Sequence, residues 1–136
     1  MGLPSQRQDK IKRTLADIHD PHERLAVATG WKWNLPPAAH REENLVRGCV
    51  SRVWIEGRRE EGRCHFAVDA ESPLVRGLAR MMCGIYDGAT AEEIVTEQPA
   101  VLEEAGLLRN LSPTRQNGMA AVRRALVDFA QKTAEA

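Results

Sequence analysis

The sequence predicts an α+β fold, in which a small, curved antiparallel sheet packs against several helices. Two short segments, about residues 50–56 and 63–69, alternate apolar and polar side chains with the period of two that is typical of strands. Helical patterns precede this pair and fill the second half of the chain. A two-stranded sheet is marginally stable by itself, so the hairpin is expected to pack on those helices. The chain, residues 1–136, suits a single domain.

Two helices are predicted before the sheet. Ile11, Leu15 and Ile18 recur at helical spacing among charged neighbours. The Asp20-Pro21 pair then indicates a second helix start, because Asp is a favoured N-cap residue and Pro a favoured first helical residue. Gly30 is a plausible end of that helix, and the Pro36-Pro37 pair beyond it indicates a loop.

The two strands are expected to form one hairpin. Cys64, Phe66 and Val68 share one face of the second strand, and His65 points to the opposite face. The polar run EGRREEG, residues 56–62, is predicted to be the turn. Leu45 and Val46 are candidates for a short third strand.

The second half is predicted to be helical throughout. Three helix starts carry a Ser or Thr cap, and a Glu three residues after one of these caps completes a capping box. These starts are Ser72-Pro73, Thr90 with Glu93, and Ser112-Pro113. A shorter helix is expected in PAVLEEAGLL, residues 99–108, with Gly106 near its end.

Composition excludes several functional classes. Lys+Arg and Asp+Glu both count 19, so the chain lacks the basic excess of a protein that binds nucleic acid by bulk charge. No apolar run approaches the length of a membrane span, and the first residues lack the apolar centre of a secretory signal. Three cysteines without paired spacing argue against a disulfide scaffold. A cytoplasmic protein is therefore expected.

Cys49 differs from the other two cysteines. Cys64 and Cys83 lie in apolar patterns and are expected in the core. Cys49 follows Gly48, which permits a backbone turn that a side chain would forbid. Arg47 and Arg52 flank it and are expected to lower the pKa of the thiol.

The residues alone leave the role of Cys49 open. It could be a loop cysteine without a function, or a reactive thiol. A zinc- or Fe–S-binding scaffold could use Cys49, Cys64 and Cys83, although tight sites usually show close ligand pairs and these gaps are long. A thiol hydrolase would need a histidine beside Cys49, and an interaction module could use the tryptophans instead.

Three segments, taken in order, resemble the SufE family of sulfur acceptors. NLVRGCVSRVWI at 44–55 resembles its cysteine segment, with Gly-Cys followed by a Ser-x-Val-Trp strand. SPLVRGLARMMCGIYDGATAEEIV at 72–95 is similar to its central helix, and LLRNLSPTRQNGMAAVRRAL at 107–126 to its C-terminal segment. Together these segments span most of the chain after residue 44.

The resemblance implies a SufE/IscU-like fold and a specific activity. Members take persulfide sulfur from a pyridoxal-phosphate cysteine desulfurase, stimulate that enzyme, and pass the sulfur to the Fe–S cluster scaffold complex. They act as accessory proteins without a cofactor or metal of their own. By position the accepting residue is Cys49, and the family's arginine near the cysteine or the partner surface is Arg115. We expect a monomer or weak homodimer.

Protection of the sulfur gives one further expectation. An exposed persulfide would be lost to reductants and oxidants, so apolar side chains are expected to shelter Cys49 partly in the free protein. The segment is then expected to swing outward on meeting its partner, with Gly48 supplying the conformational freedom.

Overall fold

The computed structural model describes residues 2–109 and 111–135 and confirms the predicted α+β fold. Helices and strands follow one another in the order helix, helix, hairpin, then four helices. They are α1 (Leu3–Leu15), α2 (Pro21–Thr29), β1 (Val53–Glu60), β2 (Arg63–Ala70), α3 (Pro73–Tyr86), α4 (Ala91–Thr96), α5 (Val101–Glu104) and α6 (Pro113–Glu135), with a 3-10 turn at Glu42–Asn44. No helix within this part of the chain is both long and apolar enough to cross a membrane.

The predicted helix caps are confirmed. The carboxylate of Asp20 accepts a hydrogen bond from the His22 N–H at 3.1 Å. Thr90 and Glu93 form both halves of a capping box at the start of α4. The hydroxyls of two serines cap α3 and α6: Ser72 accepts from the Val75 N–H, and Ser112 from the Arg115 N–H. Each cap is local in sequence, which explains why the pattern predicted it.

The hairpin differs from the prediction at both ends of its first strand. The turn is only Glu61-Gly62, both with positive φ (53° and 78°), so the predicted polar turn at 56–62 is wrong and β1 continues to Glu60. Residues 50–52 do not belong to the strand either. Val53 already pairs with Ala70, where β2 ends, so the three preceding residues have no strand opposite them. The possible third strand is reduced to one bridge between Leu45 and Trp54.

The inner face of the hairpin packs on α3 and α6. Cys64, Phe66 and Val68 of β2 are buried as predicted, and Ala70 at the end of the strand continues the alternation. Phe129 of α6 meets Phe66 edge to face at 5.6 Å and lies over Gly57, where a Cβ atom would come within 2.6 Å of its ring. α6 therefore crosses the sheet closely, which brings its first turns near the loop that precedes β1.

The second contact surface of α3 faces α2. A Cβ atom at Gly77 would lie 2.6 Å from Thr29 Cβ and 2.9 Å from the Thr29 carbonyl oxygen. The two helices approach each other here at a distance that only glycine permits. The apolar residues of α3 that follow Leu74 are buried, and Leu74 itself is half-buried.

The loop between α2 and the 3-10 turn is held against the outer edge of β2. The Arg80 guanidinium donates to the carbonyl oxygen of Trp33 at 2.7 Å, and the Val68 N–H donates to the carbonyl oxygen of Pro36 at 3.1 Å. His40 stacks on Trp54 with ring centroids 3.7 Å apart. Trp54 is thereby only 7% exposed, so it packs as a core residue.

Candidate functional site

The segment of residues 47–52, here called the cysteine loop, lies on the N-terminal half of α6. Gly48 adopts φ +91°, a conformation that favours glycine. A Cβ atom on it would meet Arg124 Nη2 at 3.4 Å and Ala121 Cβ at 3.5 Å. The loop therefore turns at Gly48 directly against the helix, and this turn directs the next side chain, Cys49, inward.

Cys49 is half-buried, and its Sγ lies 3.5 Å from the carbonyl oxygen of Gly118, to which the thiol donates a hydrogen bond. Beside the sulfur is a cavity of about 20 Å³. Its lining is mostly apolar side chains from the loop, α3 and α6: Cys49, Val50, Ser51, Val75, Leu78, Thr114, Arg115, Gly118 and Met119. A cavity of this size has room for about one water-sized atom.

Burial raises the pKa of the Cys49 thiol, and the nearby guanidinium of Arg124 partly opposes this effect. The prediction that Arg47 and Arg52 lower the pKa is therefore wrong in direction and in the residues named. Arg52 is 68% exposed and pairs with Glu71, its Nε lying 3.8 Å from Oε1. Arg47 is exposed at the turn. Neither arginine is therefore among the charges that shift the pKa of Cys49, although both are close to it in sequence.

Arg115, the arginine implied by the resemblance to the SufE family, lies on α6 and lines the cavity. Its position close to Cys49 agrees with the expectation, while its role stays a prediction. The sequence did not predict Gly118 or Arg124 as residues of the site. The α6 spacing places residues 115, 118 and 124 on the helix, but only the packed structure brings that part of the helix under the cysteine loop.

The other two cysteines are core residues. Cys64 and Cys83 are each 0% exposed, and burial raises the pKa of both thiols. Among residues 2–109 and 111–135, no group of three His, Cys, Asp or Glu side chains is arranged to hold a metal ion. The structure therefore gives no support to the scaffold that would combine Cys49 with these two cysteines.

A wider groove lies on the other side of the cysteine loop, between β1 and α6. It has a volume of about 540 Å³, and Val46, Arg47 and Arg124 line the end beside Gly48. Its charged rim carries both signs, including Glu43, Glu56, Asp128 and Lys132. Residues of the loop thus line both a small, mostly apolar cavity and a wider groove with mixed polar and apolar walls.

The electrostatics of the site lead to a first testable prediction. We expect Arg124→Gln to move the midpoint of Cys49 alkylation by iodoacetamide to higher pH, because the thiolate loses the positive charge that partly offsets its burial. In both proteins the rate should rise with pH through the raised pKa. Arg52→Gln is the matched control and should leave the midpoint in place. An unchanged midpoint in Arg124→Gln would contradict the assignment.

Comparison with known proteins agrees with this fold. The SufE family model, described as an Fe–S metabolism associated domain, matches residues 9–130. The chain is 39% identical to a SufE-like protein of Synechocystis over 102 residues, which are 73% of this chain and 64% of that protein. It is 34% identical to the sulfur acceptor protein CsdE of Escherichia coli over 124 residues, 88% of this chain and 84% of CsdE.

A solved structure supports the fold independently. The solution structure of a hypothetical protein from Thermus thermophilus aligns over 100% of both chains with a TM-score of 0.79 at 18% identity. At that identity the likeness concerns the fold alone. The match of the family model over most of the chain, together with the similarity to CsdE, shows that this chain belongs to the SufE family.

Proposed function

We propose that this protein is a sulfur acceptor. It takes persulfide sulfur from a pyridoxal-phosphate cysteine desulfurase onto Cys49, stimulates that enzyme, and passes the sulfur to the Fe–S cluster scaffold complex. One observation carries the proposal: a thiol on a glycine turn, half-buried beside a cavity with room for about one more atom. Family membership and the sulfur acceptor CsdE among the relatives support it.

The transfer is a thiol exchange reaction at sulfur. The Cys49 thiolate attacks the outer sulfur of the desulfurase persulfide, and a new S–S bond forms at Cys49. The old S–S bond breaks, and the desulfurase cysteine leaves as a thiolate that takes up a proton. No net oxidation occurs. The pyridoxal phosphate belongs to the desulfurase and supplies the chemistry that makes the first persulfide.

The site at rest favours the neutral thiol over the thiolate. Burial raises the Cys49 pKa, and a thiol can donate to the Gly118 carbonyl oxygen whereas a thiolate cannot. The free protein therefore keeps its sulfur poorly reactive toward unrelated oxidants. Reaction requires the loop to move, so that Cys49 leaves the apolar cavity and ionises in the active site of the partner.

The proposal is tested by incubating the protein with a cysteine desulfurase and cysteine, followed by peptide mass spectrometry without reductant. We expect the mass of one sulfur atom to be added to the peptide that contains Cys49. Addition to a Cys64 or Cys83 peptide would contradict the assignment, as would the absence of addition while the desulfurase is turning over.

A prediction for Arg115 distinguishes a functional role from a structural one. Arg115 lines the cavity and is exposed, so Arg115→Ala should reduce the rate of sulfur transfer by about tenfold or more while changing the melting temperature little. Arg58→Ala, on the hairpin and outside the cavity lining, is the matched control. A loss of stability without a loss of transfer would indicate a purely structural arginine.

A further inference from the structure

Gly118 is a glycine inside a long helix, where alanine would be more favourable. The free thiol does not require it. A Cβ atom at this position would lie 3.7 Å from Cys49 Sγ, an ordinary van der Waals separation, and, apart from the neighbouring backbone of its own helix, that sulfur is the only atom within 4 Å of such a Cβ among the described residues. Packing in the resting state therefore gives no reason for a glycine at position 118.

The space beside the sulfur supplies such a reason. A persulfide adds one atom to Sγ, and the cavity of about 20 Å³ has room for one atom of about this size. Gly118 lines that cavity together with the apolar side chains Val75 and Leu78 of α3. A methyl group at residue 118 would project toward the same sulfur and take part of that room.

We infer that Gly118 is a specificity-determining residue of the acceptor site: its missing side chain reserves the space that the outer sulfur of a Cys49 persulfide occupies. The inference rests on the proposed function, because it presupposes that Cys49 holds a second sulfur. The free thiol has room for a side chain at position 118, whereas the persulfide does not. The carbonyl oxygen of Gly118 holds the unloaded thiol in the same place.

The test loads the sulfur chemically and needs no desulfurase. The Cys49 thiolate attacks inorganic polysulfide, an S–S bond forms at Cys49, an S–S bond of the polysulfide breaks, and a shorter polysulfide leaves. Excess polysulfide is removed, and dithiothreitol then reduces the persulfide to the thiol and hydrosulfide while becoming a cyclic disulfide. Mass spectrometry follows the loss of the added sulfur over time.

We expect the Gly118→Ala protein to bind sulfur but to lose it to dithiothreitol at least about threefold faster than wild type, because its outer sulfur is displaced from shelter. Asn117→Ala, an exposed neighbour on the same helix, raises helix propensity without adding a methyl group to the cavity and should match wild type. The rate of iodoacetamide alkylation of the unloaded thiol should also change little in Gly118→Ala, which a general loosening of the loop would not produce.

Equal reduction rates in wild type and Gly118→Ala would overturn the inference. A second measurement covers the case in which the variant does not fold: the wild-type persulfide should be reduced more slowly in buffer than in urea that unfolds the protein, and equal rates would overturn the inference as well. Since loading uses polysulfide, a failure to accept sulfur from a desulfurase would contradict the proposed function while leaving this comparison intact.

Discussion

Cys49→Ser is expected to abolish sulfur acceptance and to leave the fold intact. Serine keeps the size of the side chain and can still donate to the Gly118 carbonyl oxygen, but a hydroxyl cannot take a sulfane sulfur from a persulfide. Because Cys49 is only half-buried, the free energy of unfolding should change by less than about 1 kcal/mol. Intact mass after incubation with desulfurase and cysteine, and a thermal melt, measure the two quantities.

The matched controls are Cys64→Ala and Cys83→Ala. Both thiols are fully buried, so each change should lower stability more than Cys49→Ser while leaving sulfur acceptance in place. The Cys49→Ser protein should also fail to stimulate the desulfurase. If it still gained sulfur, the accepting thiol would be a different one, and the assignment of Cys49 would be wrong.

Gly77→Ala is expected to lower the free energy of unfolding by about 1–3 kcal/mol, the usual cost of overpacking a core. Helix propensity by itself predicts the opposite, since alanine is favoured over glycine in a helix interior by up to about 1 kcal/mol. The contacts around Gly77 decide whether overpacking or helix propensity has the larger effect. The new methyl group would lie 2.9 Å from the backbone oxygen of Thr29, and a backbone atom cannot move without α2.

Gly118→Ala provides the matched comparison, because it is also a glycine-to-alanine change within a helix but places its methyl group at an ordinary 3.7 Å from Cys49 Sγ. It should be neutral or stabilising in urea unfolding at equilibrium. If Gly77→Ala proved as stable as wild type, the close approach of α2 and α3 would be wrong.

The sequence by itself determined most of the local structure. The caps at Asp20, Ser72 and Thr90, and the two-residue period of β2, depend on groups within a few residues of one another, and all were predicted. The start and the end of β1 were not predicted. The start depends on where β2 ends. The end depends on a turn in which Glu61 adopts positive φ, and the polar composition of residues 56–62 does not indicate where in that run the turn lies.

The functional site likewise has one part that the sequence predicted and another that only the fold decided. Cys49, the Gly48 turn and the resemblance to the SufE family were read from one short segment and its order relative to two others. The charge that faces the thiol was misassigned to its chain neighbours, because adjacency along a loop does not fix the direction of a side chain. Tertiary packing placed Gly118 and Arg124 against a sulfur 69 and 75 positions away and raised the pKa of the thiol by burying it. Desolvation and through-space charge depend on distance in the folded protein, so only the fold could decide them.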